Sequence, residues 1–225
     1  AAQNGNTIEM LADVEVSEVI LIDKSLTING NGHKVTSSAS RVIRITTSNV
    51  EVKMNNVNVV STAVRVGTND IRGIAVDAGL TNVKLTLNGC SVDFTDASAC
   101  DWAYGVNIAG NGTGHILTIN GGSYEGANVI NVYGADNTII VKDATLNCLY
   151  PNNDMYYGAC IWVLQNQGSE VEATGNTFNG NNAVVFNVGT GPTVTESNNT
   201  DNTKYVVAKV GQTYYYTLAE AVANV

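Results

Sequence analysis

Proline occurs only twice in 225 residues, aromatic residues make up 7% and charged residues 14%, well under the usual quarter of charged residues. So few charges and aromatics, in a chain filled instead by Asn, Gly and Val, argue against a helix bundle. Basic residues are outnumbered by acidic ones, 11 to 20, for a net charge of −9. That balance speaks against nucleic acid or an anionic membrane as the main partner. No apolar run approaches the roughly 20 residues of a membrane span, so membrane insertion is not expected. No signal-peptide pattern is read at the start, and Ala1 fits a mature or a trimmed beginning equally well. No close Cys-x-x-Cys pair suggests zinc or thioredoxin chemistry, and no cofactor is expected. The space is filled by 30 Asn, 30 Val and 22 Gly. β-Branched residues punctuated by turn formers suit many short strands joined by tight turns.

The chain repeats itself. Leu26-Thr27-Ile28-Asn29-Gly30, Val52-Lys53-Met54-Asn55-Asn56, Leu85-Thr86-Leu87-Asn88-Gly89 and Leu117-Thr118-Ile119-Asn120-Gly121 share one pattern. Ile139–Asp143 and Val171–Gly175 follow it, and Val59, Val92, Tyr124, Leu146 and Phe178 sit five residues beyond the second apolar position in the last five copies. A second family interleaves: Ile43-Arg44-Ile45, Ile74-Ala75-Val76, Val106-Asn107-Ile108, Ile130-Asn131-Val132, Ile161-Trp162-Val163 and Phe186-Asn187-Val188. Alternation gives strands of period two, and the Asn/Gly step supplies turns with positive φ. Successive copies lie roughly 22 to 33 residues apart, the range of solenoid repeats. The expected fold is all-β: a right-handed parallel β-helix of about six to seven coils over residues 1–204, its hand following the crossover preference. An antiparallel sandwich would not hold register across six copies.

Segments such as Val171-Glu172-Ala173-Thr174-Gly175-Asn176-Thr177-Phe178 resemble the repeat of right-handed parallel β-helix proteins in the pectate-lyase-like superfamily. Thr7–Leu11 and Ile20–Val35 resemble the first coils of such domains in large bacterial surface proteins. The resemblance covers most of the chain, specifies fold well and activity poorly. It implies an extracellular, bacterial cell-surface setting. Trp-x-Asp-His, found in pectate lyases, is absent, as are the Asn-Thr-Asp, Asp-Asp, Gly-His-Gly and Arg-x-Lys signatures of polygalacturonases. His33 and His115, the only histidines, read as turn residues.

Insertions swell at residues 60–72, 93–104 and 147–159, always before the second strand family, so they emerge on one edge. The candidate binding residues there are Asp93, Asp96, Asp101, Trp102, Tyr104, Tyr156 and Tyr157, joined by Trp162 from the column that holds Arg44, Ala75, Asn107, Asn131 and Asn187. Rings beside carboxylates and amides suit sugars; they equally suit cover for long loops. Asp93, Asp96 and Asp101 share one loop, but their spacing matches no strong Ca²⁺ motif. The recurring Asn29, Asn55, Asn88 and Asn120 read as a scaffold ladder. Four cysteines fit an oxidising setting; Cys148–Cys160 is the favoured bridge and Cys90–Cys100 a weaker one, with all three pairings open.

Residues 205–225 read as two short strands around Gly211-Gln212, then a helix from Leu218 opened by the capping box Thr217-Leu218-Ala219-Glu220. In the surface-domain family that the chain resembles, such a segment precedes a β-helix and caps its first coil. Here it stands at the other end, so Leu218 and Val222 are expected to meet Ile8 and Met10 of a neighbouring copy, end to end. The functional expectation is a non-enzymatic adhesin or stalk module presenting loops to host glycan or matrix protein. A polysaccharide lyase or glycoside hydrolase, including a phage depolymerase, is the alternative.

Overall fold

The computed structural model describes residues 2–64, 70–95, 102–149, 158–164, 168–181, 183–211 and 213–225. Three parallel sheets wrap a single core. The first sheet stacks Asn6–Glu9, Leu26–Asn29, Glu51–Asn55, Lys84–Asn88, Ile116–Asn120, Thr138–Lys142, Glu170–Thr174 and Thr193–Ser197. The second stacks Val14–Val16, Lys34–Ser37, Asn58–Ser61, Ser91–Phe94, Ser123–Gly126, Thr145–Cys148, Thr177–Asn181 and Thr200–Lys204. The third holds Ile20–Ile22, Arg41–Ile45, Ile71–Val76, Ala103–Ile108, Asn128–Tyr133, Ala159–Leu164 and Val184–Val188. Every neighbour in these sheets lies in the previous or next coil, which is the topology of a parallel β-helix. The third sheet has seven strands and the others eight, so the last coil is two-sided. Val59, Val92, Tyr124, Leu146 and Phe178 belong to a strand set of their own, the second sheet, where sequence spacing resolved two families.

Inward positions explain the stability. In the first sheet Met54, Leu87, Ile119, Val141 and Ala173 stack in register and are fully buried. In the second, Val59, Val92, Tyr124, Leu146 and Phe178 do the same. The next partners in these two columns are Glu196 and Asp201. Carboxylates thus end the apolar core at the last coil, beside an open cavity of about 420 Å³ floored by Phe178, Val185 and Phe186.

The turn from the first to the second sheet is set by residue type. Asn56, Gly89, Gly121, Asp143, Gly175 and Asn198 all have φ between 50° and 69°, the left-handed region that Gly, Asn and Asp tolerate. Just before it runs the ladder. The Asn55 side-chain amide donates to Asn29 Oδ1 (2.8 Å), Asn88 to Asn55 Oδ1 (2.7 Å) and Asn120 to Asn88 Oδ1 (2.8 Å), while Asn29 reaches Glu9 Oε1 at 2.5 Å. Gly122 is needed for a different reason: its φ is 92°, and a Cβ there would collide with the Cys90 carbonyl oxygen.

The C-terminal segment forms an antiparallel pair, Ala208–Val210 with Thr213–Tyr215, and a helix Leu218–Val222 packed on that pair. The capping box is present: Glu220 N–H donates to Thr217 Oγ1, and Thr217 N–H to Glu220 Oε2. The helix is short, with Ala221 its buried residue.

Candidate functional site

The outward column of the third sheet is the structure's most unusual polar surface. Arg44, Ala75, Asn107, Asn131, Trp162 and Asn187 stand in register across six coils. An outward column on a solenoid ought to be solvated. Here Ala75 is fully buried, Asn107 and Asn131 are each 1% exposed, and Trp162 and Asn187 are half-buried. Asn107 donates weakly to the Asn131 carbonyl at 3.5 Å. Asn107 Oδ1, both side-chain polar atoms of Asn131, and Trp162 Nε1 are buried and have no hydrogen-bond partner.

At the strand starts stand Arg41, Arg72, Tyr104 and Asn128, paired coil to coil. Asp70 holds Arg72 through two nitrogens and lies 3.7 Å from Arg41. The Arg72 guanidinium lies 5.9 Å from the Tyr104 ring centroid, within cation–π range. Arg44 Nε donates to Asp77 Oδ1 at 2.6 Å. Burial, and then Arg72 close by, push the Arg41 pKa below its usual value. Gly105 lets the backbone of the next coil approach closely: a Cβ there would sit 2.5 Å from the Glu125 carbonyl oxygen and 2.8 Å from that of Val129.

Of the residues expected from sequence to bind, Trp162 joins this column and Trp102, 47% exposed, stands at its margin. Tyr104 lies in the strand Ala103–Ile108 and is 6% exposed, with the Arg72 guanidinium over its ring. Asp93 lies elsewhere, on the second sheet, one coil from Glu125. Burial raises the pKa of both carboxyls, and for Glu125 the nearby Asp93 charge adds to the rise. Glu125 escaped the sequence reading because it carries no motif; only the strand register brings it beside Asp93. Asp96, Asp101, Tyr156, Tyr157 and Cys100 lie outside the described residues. Among the described residues, no three His, Cys, Asp or Glu side chains converge to hold a metal ion.

The expected Cys148–Cys160 bridge is not formed. Both are buried thiols, turned to backbone carbonyls: Cys148 Sγ donates to Ala127 O at 3.0 Å and Cys160 Sγ lies 3.8 Å from Leu146 O. Cys90 is likewise a buried thiol, 3.4 Å from Met54 O, so it fills the core where sequence had offered it to Cys100. Burial holds the Cys90 and Cys160 pKa values up, which keeps both thiols unreactive. Met10, expected at an end-to-end contact, is buried in the first coil; Ile8 is 37% exposed.

Each histidine lies just before a strand, His33 before Lys34–Ser37 and His115 before Ile116–Asn120. His33 Nδ1 lies 3.1 Å from Asp13 Oδ1. His115 is fully buried, where its ring Nδ1 accepts the Val83 N–H at 3.2 Å and its backbone N–H donates to Asn137 Oδ1 at 2.9 Å. Burial lowers its pKa. No family model matches this chain, and no curated protein matches it in sequence.

Proposed function

We propose that this protein is a non-catalytic β-helix module of a bacterial cell surface that binds glycan through the outer face of its third sheet. The observation that supports this most is the buried, unpartnered amide pair Asn107 and Asn131 beside Trp162. A buried polar atom without a protein partner costs free energy until something pairs with it, and a sugar hydroxyl would do so. A flat indole next to amides is the side-chain set that sugars use. A glycan and matrix-protein array tests the reading. Trp102→Ala with Trp162→Ala should abolish the captured signal while thermal stability changes little. Loss of folding would instead identify the rings as cover, and an array with only protein signals would redirect the function to a protein ligand.

The module is also proposed to assemble end to end. Ile8, Leu11, Val14 and Leu21 leave the first coil apolar and exposed; Leu218 and Val222 of the helix are 68% and 66% exposed. Glu196 and Asp201 in the last coil's core columns oppose direct coil-on-coil continuation, since inward charges blunt a sheet edge. That leaves the helix as the contact. Such head-to-tail contacts do not close. Deleting 205–225 should abolish concentration-dependent association and leave the coil folded; association unchanged by the deletion would refute this contact.

A hydrolytic reading has one observation in its favour, the adjacent carboxyls Asp93 and Glu125 with raised pKa values, since one protonated and one ionised carboxyl is what glycosidic cleavage needs. Release of reducing or unsaturated ends from polysaccharide, lost in Glu125→Gln, would establish it.

A further inference from the structure

We infer that Arg41 and Arg72, with Trp102 beside them, bind the acidic group of a glycan, a sulfate ester or a carboxylate, at the loop edge of the third sheet; this rests on the glycan-binding reading above. The inference starts from where the arginines are. The chain has four, and all fall within residues 41–72, whereas its seven lysines are spread from 24 to 209. In a chain of net charge −9, that gathers in one place the residue whose planar fork of donors best fits an oxyanion. Arg41, Arg72 and Tyr104 stand in register in adjacent coils, about 4.8 Å apart. Trp102 precedes Ala103, which pairs with Ile71, and its carbonyl accepts the Ile71 N–H at 3.1 Å. The exposed tryptophan therefore stands one coil on from Asp70, between the arginines and solvent-facing loop edge.

Two guanidinium groups here share one carboxylate. Arg72 donates to Asp70 Oδ2 through Nε and one terminal nitrogen, while Arg41 lies 3.7 Å from Asp70 Oδ1, beyond hydrogen-bond distance. The nearby Asp77 is engaged by Arg44. Among the described residues, Arg41 makes one hydrogen bond, a 3.3 Å contact to Ser40 Oγ, so most of its five N–H donors are unused. At Arg41, burial and the Arg72 charge outweigh the help of Asp70, as they do for a cation with too little negative charge around it. An arginine does not relieve this by losing its proton; an incoming anion does. The donors are within reach: the Arg41 side chain is 28% exposed and Trp102 is 47% exposed, so a ligand meets them at the surface. Asp70 holds the Arg72 fork in place and leaves Arg41 to meet the ligand. A neutral sugar would leave the surplus charge unmatched. A bare anion would leave the indole face uncovered, whereas an acidic sugar brings its C–H side to that ring.

The test uses the full chain and calorimetric titration with four probes: sulfated galactan oligosaccharides, oligogalacturonate, neutral galactan oligosaccharides and oligoglutamate. Three variants accompany it. Arg41→Gln removes the charge, Arg41→Lys keeps the charge without the fork, and Lys53→Gln removes one positive charge from the first sheet, away from the site. At least one acidic sugar should bind roughly tenfold or more tightly than the neutral one, the size of a charge-assisted hydrogen bond; which of the two does so tells sulfate from carboxylate. Arg41→Gln should bring that affinity down to the neutral level, Arg41→Lys should lower it several-fold, and Lys53→Gln should leave it unchanged. Arg41→Gln should stay folded, because a like charge beside Arg72 is gone; an unfolded variant would show Arg41 to be the structural partner of Asp70 and overturn the surplus-charge argument. A neutral sugar bound as tightly as both acidic ones overturns the inference while the glycan-binding function stands. So does acidic binding that Arg41→Gln leaves unchanged or that Lys53→Gln weakens equally, since net charge alone is then responsible. Oligoglutamate bound as tightly as the acidic sugars overturns it in favour of an acidic peptide. No sugar bound by the native chain, with no glycan signal on the array, overturns both.

Discussion

Asn88 is the place to test whether the ladder stabilises the solenoid or merely decorates it. It sits mid-ladder, donating to Asn55 Oδ1 at 2.7 Å and accepting from Asn120 at 2.8 Å. Asn88→Ala breaks both bonds and adds no strain at the strand end. A net intramolecular hydrogen bond contributes about 0.5–1.5 kcal/mol, so two give about 1–3 kcal/mol. Asn55 and Asn88 are only part-buried and Asn120 is exposed, so water re-pairs some of the stranded groups and the cost falls toward the middle of that range. A loss of about 2 kcal/mol in a chain of this size lowers the melting temperature by roughly 4–8 °C. Asn120→Ala, which removes only one bond of the ladder, should cost about half as much. Urea denaturation followed by far-UV circular dichroism measures both variants against the native chain. Equal costs at the two positions, or an Asn88→Ala cost below about 0.5 kcal/mol, would refute the claim that the ladder bonds add up along the stack.

Three further outcomes follow from the fold. His115 has a folded pKa below its ordinary 6.5, so its contribution is intact above that pH and is lost as pH falls below it, when the unfolded chain takes up a proton that the folded chain resists; His115→Asn, the residue type used at the matching turn position 137, should flatten the urea midpoint between pH 7.5 and 5, and an unchanged slope would count against this. Glu125 has the opposite sense: its raised pKa means that the ionised form is disfavoured in the fold, so Glu125→Gln should stabilise the chain at pH 7 by up to about 1 kcal/mol and the gain should fade as pH falls through the carboxyl range, whereas destabilisation at pH 7 would show that the charge is needed. Gly122→Ala places a methyl group onto the Cys90 carbonyl at a φ of 92° and should cost at least about 3 kcal/mol, read as loss of cooperative melting; a melting curve like the native one would mean that the two coils can move apart there.

The fold was legible because its periodicity is carried by backbone geometry. Each coil needs an apolar inward residue at the same register and a left-handed residue at the same turn, and Met54-Asn55-Asn56 and Leu87-Asn88-Gly89 advertise both. The ladder was legible for the same reason. The last, two-sided coil is the hardest to read: Glu196 and Asp201 occupy inward positions, so Thr193–Ser197 and Thr200–Lys204 do not look like core strands. Bridge formation was misread because Cys148 and Cys160 were judged by the loop between them, whereas each side chain follows the inward parity of its own strand.

The binding column is a different kind of problem. Its position was legible: Asn107, Asn131 and Trp162 share the middle place of triplets flanked by Ile and Val, and a shared place in the repeat means a shared column. Its chemistry was not, because an asparagine in a triplet reads the same whether its amide is paired, solvated or withheld. Asn88 and Asn131 are alike in sequence context, each flanked by apolar or small residues in a strand. They differ in what stacks on them. Asn88 lies between Asn55 and Asn120, whose amides pass hydrogen bonds from coil to coil; Asn131 lies between Asn107 and Trp162, and the indole can donate but cannot accept. A ladder of amides continues only while each rung both gives and takes. Trp162 can give but not take at its rung, and the unmet atoms lie beside it. Trp162→Asn therefore carries the sharpest consequence of this reasoning. It should restore a rung that gives and takes, pair Asn131, raise the melting temperature and remove glycan binding together. If stability rises while binding persists, the column is not where the ligand is held.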